Sequence, residues 1–511
     1  MAAPILPTAR LREVESGFAA AEPPLMERAG RAIAERARAI AVDTGSPILV
    51  VAGPGNNGGD AWVAAARLRE TFHRVVVLDV AGTEPKAAEA RAAKAAYAAR
   101  GGDVVREWPQ GRHALVIDGL LGIGLARDVD PPYAALIGRI NASGCPVLAI
   151  DLPSGLDSDT GRARGTAVRA THTLTFIALK PGLLTGEGPE LCGRLDVDDL
   201  GTGEAARKAA PGADLTAADV RGWLTPRARD AHKGSFGTVA IVGGNRGMVG
   251  AALLAARAAL HCGAGKVYVG LLAADAPTVD LVQPELMLRP VDDALSAHVL
   301  VVGPGAGASH STTSASMFER IVLPAVMNSA KPIVIDADAL NAVAVHESLR
   351  AALSTPRKAP TVLTPHPGEA ARLLKSDTNA VQADRIGSAL EIARRFNAEV
   401  VLKGAGSVCA SPDGRWAINT SGNPGLASGG TGDVLAGIIG ALLCQGLDGA
   451  QALRYGVCLH GAAADSLVAR GIGPAGLTAS EVIVEARALL NAWTLRSASS
   501  REERVGGSGG E

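Results

Sequence analysis

Short runs of β-branched apolar residues alternate with alanine-rich helical segments along most of this 511-residue chain. Continuous apolar runs of this kind, separated by helices, are typical of parallel strands that are buried on both faces. The pattern predicts an α/β fold in which each sheet lies between two layers of helices. Ligands in such folds bind beyond the carboxyl ends of the strands, so functional residues are expected in the loops that follow them.

The alternation occurs in two blocks, and a small polar segment with glycine and proline, Gly201–Thr216, separates them as a linker would. Two domains are therefore expected, at 1–212 and 213–496. Residues 497–511 lack a hydrophobic pattern, which predicts a disordered tail. The expected strands are Ile48–Ala52, Val75–Val80, Ala114–Asp118, Val147–Asp151 and Thr173–Ile177 in the first block, and Thr238–Val242, Lys266–Gly270, Val299–Val302, Ile333–Asp336, Thr361–Thr364 and Val400–Lys403 in the second.

Composition excludes several classes of protein. Hydrophobic residues make up 47% of the chain and the net charge is −1, so wholesale disorder and a basic field that attracts nucleic acid or anionic membranes are both excluded. No secretory signal and no apolar run long enough to span a bilayer is visible. The six cysteines include no CxxC pair, so reduced thiols in a cytoplasmic protein are expected.

The loop after the first long strand reads GPGNNGGD, and its glycines formally satisfy the GxGxxG dinucleotide motif. Asp79 lies where a ribose-binding acid would be, so a dehydrogenase is one interpretation. The details disfavour it, because Pro54 stiffens the turn and Asp60 would repel a pyrophosphate at the helix start. The amides of Asn56 and Asn57 instead suit a polar group or a cation.

Two more strands of the first block end in acids, Asp118 and Asp151, and Ser154 follows the second of them. Both acids can face the same crevice as Asn57. An amide carbonyl, a carboxylate and a hydroxyl form a hard-oxygen set that suits an alkali cation and carries too little charge for a tight divalent site.

GPGNNGGD, IDGLLGIGL and DLPSGLDSDTG, preceded by LMERAG, closely resemble the YjeF N-terminal domain, a Rossmann-like family of NAD(P)H-hydrate epimerases. The resemblance implies a catalytic role for Asp151 and potassium ligands at Asn57, Asp118 and Ser154. Ala61 and Ile123 stand where the family has glycine and threonine. The substrate-binding residues implied by the resemblance are Asn56, Asn57, Gly58, Gly59, Asp60, Gly122, Ile123, Gly124, Leu125, Ala126, Arg127, Asp128 and Asp151.

The strongest signal in the second block is NPGLASGGTGDVLAG, in which GGTGD opens a helix. The glycines allow backbone N–H groups to converge on phosphate oxygens. Asp433 would bind phosphate poorly itself, but beside an anion hole it can take a proton from an attacking hydroxyl. The block has no Walker A motif, since GAGK is followed by Val267 rather than by serine or threonine.

The motifs GGNRGMVGAA, GPGAG, TPHPGEAARLL, LKGAGS and GGTGD, in this order, resemble the ribokinase-like ADP-dependent NAD(P)H-hydrate dehydratases. The resemblance implies Mg²⁺ with ADP, a catalytic Asp433, and a hydrate site lined by Ala251, Gly307, His366 and Asp433. The nucleotide-binding residues that it implies are Lys403, Gly404, Ala405, Gly406, Ser407 and Gly432.

Together the two resemblances imply a fused repair enzyme for NAD(P)H hydrates. The first domain would interconvert the R and S epimers of the hydrate, and the second would dehydrate the S epimer, converting ADP to AMP and phosphate. A homo-oligomer is expected, with no nucleic-acid or membrane partner. Three alternatives stay open: a small-molecule kinase in the second block, a non-catalytic binding module in the first, and the dehydrogenase.

Overall fold

The computed structural model describes residues 2–43, 45–80, 85, 87–125, 127–307 and 316–506. The chain forms two compact units, which divide between Ala213 and Asp214. The division lies inside a strand, Gly212–Leu215, and Gly203–Ala209 is helical, so the segment predicted as an irregular linker is structured. Alanine, arginine and lysine at 205–209 are good helix formers, and they outweigh the small and polar character of the segment.

The first unit contains a parallel sheet with the strand order β4-β3-β2-β5-β6-β7-β8. Strands β1 and β9 pair with each other in antiparallel orientation. The strands are β1 (Pro4–Ile5), β2 (Ile48–Ala52), β3 (Val75–Asp79), β4 (Asp103–Val105), β5 (Leu115–Gly119), β6 (Val147–Ile150), β7 (His172–Phe176), β8 (Arg194–Asp198) and β9 (Gly212–Leu215), and the helices are α1 (Thr8–Gly17), α2 (Leu25–Ile40), α3 (Asn56–Glu70), α4 (Ala88–Ala99), α5 (Pro131–Asn141), α6 (Pro181–Leu184), α7 (Gly188–Leu191) and α8 (Gly203–Ala209).

Both faces of this sheet are buried, as the apolar runs predict. Side chains of β2 alternate between two cores: Val50 packs in one core with α2 and α3, and Val51 packs in the other with Ile137 and Ile140 of α5. The first unit is therefore a three-layer α/β structure. All five strands predicted in the first block are present, with ends shifted by at most one residue.

The second unit contains a sheet with the order β18-β17-β16-β15-β14-β13-β10-β11-β12, parallel except where β17 pairs with β16 and β18. The strands are β10 (Thr238–Gly243), β11 (Lys266–Leu271), β12 (Met287–Leu288), β13 (Val299–Val302), β14 (Ile333–Ile335), β15 (Thr361–Leu363), β16 (Glu399–Leu402), β17 (Ser407–Ala410) and β18 (Trp416–Asn419), and the helices are α9 (Ala217–Val220), α10 (Val249–His261), α11 (Val291–Ala294), α12 (Leu323–Met327), α13 (Ala337–Val345), α14 (Glu347–Ser354), α15 (Pro367–Leu374), α16 (Thr378–Ala383), α17 (Arg385–Phe396), α18 (Thr431–Cys444), α19 (Gly449–Ala469) and α20 (Ala479–Gly506).

The second sheet is also buried on both faces, since all six residues of β10 are buried. The six strands predicted in this block are all observed, and the predicted α/β class is confirmed for both units. In the described part of the chain, no helix is long and apolar enough to cross a membrane.

Helix α20 continues to Gly506, so 497–506 differ from the disordered tail that the sequence predicts. Arginine, glutamate and alanine have high helix propensity, and they extend a helix that is already nucleated without needing a packed face. The last predicted tail residues, 507–511, lie outside the described residues.

In each sheet, successive strands are added first toward one edge and then toward the other. The point where the direction changes is the position of the crevice. In the first unit the chain moves outward from β2 through β3 to β4, and then returns to β5 on the other side of β2. In the second unit the same reversal separates β10 from β13. Loops on either side of such a switch point splay apart and leave room for a ligand.

Gly30 of α2 lies where helices α2 and α3 pack closely together. A Cβ at this position would lie 2.3 Å from Cγ1 of Val63 on α3. We expect Gly30→Ala to lower the free energy of unfolding of the first unit by about 1–3 kcal/mol, because the core is overpacked. Denaturant unfolding measures the change.

Gly138→Ala is the matched control in the same unit, because Gly138 lies in α5 with no atom near its Cβ position. It should leave stability unchanged or raise it by up to about 1 kcal/mol. Equal stability for the two variants would contradict the packing described here.

Candidate active sites

The three cation ligands implied for the first unit come together below its crevice. Asp118, at the end of β5, is fully buried. Its carboxylate accepts hydrogen bonds from the Ser154 hydroxyl at 2.6 Å and from the Ser154 N–H at 2.9 Å. Asn57 Nδ2 donates to the Leu121 carbonyl at 2.9 Å, and Ser154 Oγ lies 3.2 Å from the same oxygen. The cluster is therefore built of amide, carboxylate, hydroxyl and carbonyl groups.

Charge compensation at this cluster is incomplete. Asp118 forms no ion pair within the described part of the chain. Burial raises the pKa of Asp118, although the hydrogen bonds from Ser154 and Leu120 oppose this effect. A buried carboxylate without a positive partner is costly, so the cluster favours either a proton or a bound cation.

A cavity of about 550 Å³ opens above the cluster, at the carboxyl ends of β2, β5 and β6. Polar and apolar side chains both line it, as is usual for a small-molecule site. The residues of the predicted substrate set that line it are Asn56, Asn57, Asp60, Gly122, Ile123, Gly124, Leu125 and Asp151.

Four residues of the predicted substrate set lie elsewhere. Gly58 and Gly59 face inward, where a Cβ would meet the Gly53 carbonyl and the Met26 side chain, so these glycines permit close packing. Arg127 is exposed and pairs with Asp130 at 2.9 Å, and Asp128 is not part of the described cavity wall. Ala126 lies outside the described residues.

Asp151 follows β6 and takes a left-handed backbone conformation with φ +67°. This conformation is uncommon for residues other than glycine, and it is found at functional sites. Phe176 N–H donates to Asp151 Oδ1 at 3.1 Å, and the Lys180 ammonium forms an ion pair with the same oxygen. Asp151 is thus held at the cavity wall by β7 and by the residue before α6.

Lys180 is the main functional residue that sequence reasoning missed. Its side chain is fully buried, and its ammonium also donates to Thr175 Oγ1 at 2.7 Å and to the Phe176 carbonyl at 2.9 Å. A buried lysine needs such partners. Only its position, directly before the Pro-Gly start of α6 and after a predicted strand, could have pointed to it.

Asp60 and Glu15 add two carboxyl groups to the cavity wall. Burial raises the pKa of Asp60 well above its usual range, and the charges of Asp151 and Glu15 raise it further. Burial and Asp151 also raise the pKa of Glu15, while Lys180 lowers it. The cavity therefore combines an ion-paired carboxylate with carboxyl groups that hold their protons more strongly.

The dehydrogenase alternative required a free carboxylate at Asp79. In the structure, Asp79 is buried and forms an ion pair with Lys94 at 2.8 Å. That carboxylate is not available to a ribose.

In the second unit, GGTGD forms the predicted loop and helix start. Gly430 adopts φ +88°, which directs the chain into α18, and Asp433 lies in the first turn. Burial raises the pKa of Asp433 to about 7, with Asp336 as the next cause, while Lys403 lowers it. A carboxyl group with this pKa is suited to exchange a proton near neutral pH.

Lys403 directly follows β16 and connects the nucleotide-binding motif to the acids. Its ammonium lies 3.1 Å from Oδ1 of the buried Asp336, which also accepts a hydrogen bond from Thr364 at 2.7 Å. A Cβ on Gly432 would lie only 3.3 Å from Lys403 Nζ. Burial lowers the pKa of Lys403, but Asp336 and Glu369 raise it more strongly, so its ammonium keeps its charge.

Arg385 supports the loop after β16 from behind. It is buried, and Nη2 lies 3.3 Å from the carbonyl oxygens of Leu402, Lys403 and Gly406. Gly404 has φ +138° and passes so close that a Cβ would lie 3.0 Å from the guanidinium. Arg385, which the sequence did not reveal, therefore fixes the backbone of the predicted nucleotide loop.

The residues predicted to line the hydrate site surround the second switch point. Ala251 lies in the first turn of α10 beside Gly305, and the N–H of Gly307 donates to Asp338 at 2.8 Å. His366 caps α15, where its Nδ1 accepts from the Gly368 N–H at 3.0 Å. Burial lowers the pKa of His366 and so favours neutral imidazole.

These two α/β units, each with titratable residues gathered at the carboxyl ends of its strands, define an enzyme with two separate candidate sites. A family model described as YjeF-related protein N-terminus matches residues 22–182, and one described as NAD(P)H-hydrate dehydratase matches residues 239–485.

Curated relatives match nearly the whole chain. A bifunctional NAD(P)H-hydrate repair enzyme of Coxiella burnetii is 40% identical over 496 residues, which cover 94% of this chain and 96% of the relative. One of Escherichia coli is 38% identical and covers 91% of this chain and 89% of the relative. The chain therefore belongs to the family of bifunctional NAD(P)H-hydrate repair enzymes.

Among solved structures, an ADP/ATP-dependent NAD(P)H-hydrate dehydratase from Bacillus subtilis, co-crystallised with ATP and Mg²⁺, is 30% identical. The match covers 54% of this chain and 97% of that chain, with a TM-score of 0.47.

The ion pair of Lys180 makes a testable contribution to stability. We expect Lys180→Met to destabilise the first unit by about 3–5 kcal/mol, because the Asp151 carboxylate is left without its buried partner. Lys208→Met is the control, since Lys208 is exposed and pairs with an exposed Glu204. Denaturant unfolding of both variants measures the difference, and equal midpoints would contradict the assigned role of Lys180.

Proposed function

We propose that the first unit interconverts the R and S hydrates of NAD(P)H, and that the second unit dehydrates the S form with ADP. The observation that carries this proposal is the placement of Asp151 and Asp433, each at the carboxyl edge of its own sheet and each among other acids. The six cysteines are free thiols, which supports a cytoplasmic location.

Epimerisation needs groups that give and take protons. Reduced nicotinamide is an enamine, so water adds to the carbon beside the ring nitrogen. The hydroxyl can leave again as water once it is protonated, because the nitrogen lone pair stabilises the cation that remains. We assign the exchange of the proton of this water to Asp151, which Lys180 holds at the cavity wall, and contacts with the ring substituents to Asp60.

Potassium fits the cluster of Asn57, Asp118 and Ser154. Neutral oxygens with a single carboxylate suit a monovalent ion, and Asp118 has no positive partner in the described part of the chain. A bound potassium ion would supply the missing positive charge. The residues would then fix Leu121 and the following loop beside the cavity.

In the second unit we assign the nucleotide phosphates to the N–H groups at the start of α18 and to the loop held by Arg385. Asp433 takes the proton of the ring hydroxyl, and the hydroxyl oxygen attacks the terminal phosphorus of ADP. AMP leaves as the new O–P bond forms. Phosphate then departs with the C–O bonding electrons, and loss of a proton from the neighbouring carbon restores the ring double bond.

Mg²⁺ fits as an ion that enters with the nucleotide. The described residues include no group of three His, Cys, Asp or Glu side chains placed to hold a metal. Mg²⁺ in nucleotide sites is usually bound by phosphates, water and one or two carboxylates. When bound, it would neutralise phosphate charge during transfer.

Products distinguish this reaction from that of a kinase. Incubation with S hydrate, ADP and Mg²⁺ should give AMP, phosphate and reduced cofactor in equal amounts by ³¹P NMR and absorbance. A phosphorylated hydrate that accumulates without reduced cofactor would instead identify a small-molecule kinase.

If potassium binds at this cluster, the rate of epimerisation should depend on the potassium concentration and not only on ionic strength. Replacing potassium with choline at constant ionic strength should slow R-to-S conversion, and Ser154→Ala should raise the potassium concentration needed for half-maximal rate because one ligand is lost. Ser143→Ala, which removes a hydroxyl bonded to Cys145, is the control. Epimerisation that is insensitive to potassium in the unmodified protein would contradict the assignment.

The role assigned to Asp433 predicts that the dehydration rate depends on pH, with a descending limb on the acid side. As a base it acts when ionised, so the rate should fall as pH drops through about 7, the pKa to which burial and Asp336 raise it. Asp433→Asn should lower the rate by roughly 10²–10⁴-fold and remove this limb. Asp413→Asn, in an exposed turn, should behave as the unmodified protein. A retained limb in Asp433→Asn would assign the titration to another residue.

A further inference from the structure

Helix α1 brings two charged side chains to the cavity of the first unit from outside the segment that the family model matches. It spans Thr8–Gly17, whereas the matched family model begins at residue 22. Arg12 and Glu15 nevertheless line the cavity with Asp60, Asp151 and Lys180. A Cβ on Gly124, in the substrate loop, would lie 4.0 Å from Nη2 of Arg12. The helix therefore forms one wall of the site.

Among the described residues, the Glu15 carboxylate has no hydrogen-bond or ion-pair partner, and the same is true of Asp60 in this cavity. Glu13, on the same helix, pairs with Arg10 at 2.8 Å, and Asp151 is held by Lys180. Glu15 is partly buried, and its carboxylate makes no hydrogen bond or ion pair with the residues that the structure describes. A carboxyl group that is half-buried and unpaired in a cavity is available to a ligand.

The reaction itself calls for a second proton carrier. Water leaves from one face of the ring and returns on the opposite face, so the proton donor and the proton acceptor stand on opposite sides of one carbon. A single carboxylate fixed by an ion pair, as Asp151 is, reaches one side. Asp151 follows a strand of the sheet, whereas Glu15 comes from helix α1, so two different elements bring these carboxyl groups to the same cavity.

We propose that Glu15 is a catalytic proton carrier of the epimerase reaction and acts as the counterpart of Asp151. This inference rests on the proposed epimerase function.

The step balances with these two groups. The Glu15 carboxyl protonates the hydroxyl oxygen, the C–O bond breaks as the nitrogen lone pair forms a C=N bond, and water departs. A water molecule then adds from the other face, the C=N electrons return to nitrogen, and Asp151 accepts the proton of the added water. Glu15 is then ionised and Asp151 protonated, and proton exchange with solvent water returns both groups to their starting states before the next turnover.

The groups that face Glu15 set its proton affinity. Asp151 and Lys180 face it from the ends of β6 and β7, Asp60 from α3, Glu89 from α4, and Arg12 from its own helix. Burial and Asp151 raise the pKa of Glu15, against the opposing effects of Lys180 and Arg12. A donor of this kind loses activity as pH rises through its pKa.

The full chain, supplied with S hydrate in potassium-containing buffer without ADP, isolates epimerisation, because dehydration lacks its nucleotide. ¹H NMR follows the appearance of R hydrate over the uncatalysed background. We expect Glu15→Gln to slow this conversion by roughly 10²-fold and to lose the decline at high pH, and Glu15→Asp to keep that decline at a reduced rate. Glu13→Gln, two residues away on the exposed face, should match the unmodified protein.

The possible results distinguish the epimerase function of the first unit from the catalytic role of Glu15. If the unmodified chain does not form R hydrate, the proposed epimerase function fails. If it does and Glu15→Gln stays within about threefold of it, or keeps the same high-pH decline, the role of Glu15 is overturned. If Glu15→Gln unfolds early in a thermal scan, the pH profile of Glu15→Asp decides, and an unchanged rate and profile there would overturn the proposal.

Discussion

Burial of each sheet on both faces is the constraint on which the rest of the structure depends. A strand such as β5 is apolar along its length, so a polar side chain is tolerated only where the strand ends. Asp118 and Asp151 end β5 and β6, and Asp336 and Lys403 follow β14 and β16. Because parallel strands end at the same edge, their polar residues collect there, and the switch point leaves space for a substrate above them.

The closeness of these acidic residues at one edge also changes the pKa values of their carboxyl groups. Burial is the main cause that raises the pKa of Asp60 and that of Asp433. The charges of neighbouring carboxylates at the same edge raise both pKa values further. One lysine in each unit offsets the effect: Lys180 pairs with Asp151, and Lys403 pairs with Asp336. Each site therefore holds an ion-paired carboxylate beside a carboxyl group whose pKa is raised.

The strands and the loop motifs could be predicted from the sequence, because β-branched runs and glycine clusters are local signals. The cluster of Asn57, Asp118 and Ser154 was predicted from the positions of these residues after the ends of apolar strands and from the family resemblance. Lys180, Arg385 and Glu15 could not be found in this way, because each acts through contacts with residues distant in the chain and carries no local motif. Gly58 and Gly59 belong to the substrate motif, yet their backbones serve close packing.

If the two sites act in succession on one damaged cofactor, the extent to which a racemic hydrate is repaired depends on both of them. With excess ADP, Mg²⁺ and potassium, the unmodified protein should restore the absorbance of reduced nicotinamide completely. Asp151→Ala should stop near half, because the R epimer is left to slow spontaneous conversion. Complete restoration by Asp151→Ala at the rate of the unmodified protein, or an unmodified protein that also stops at half, would contradict the account.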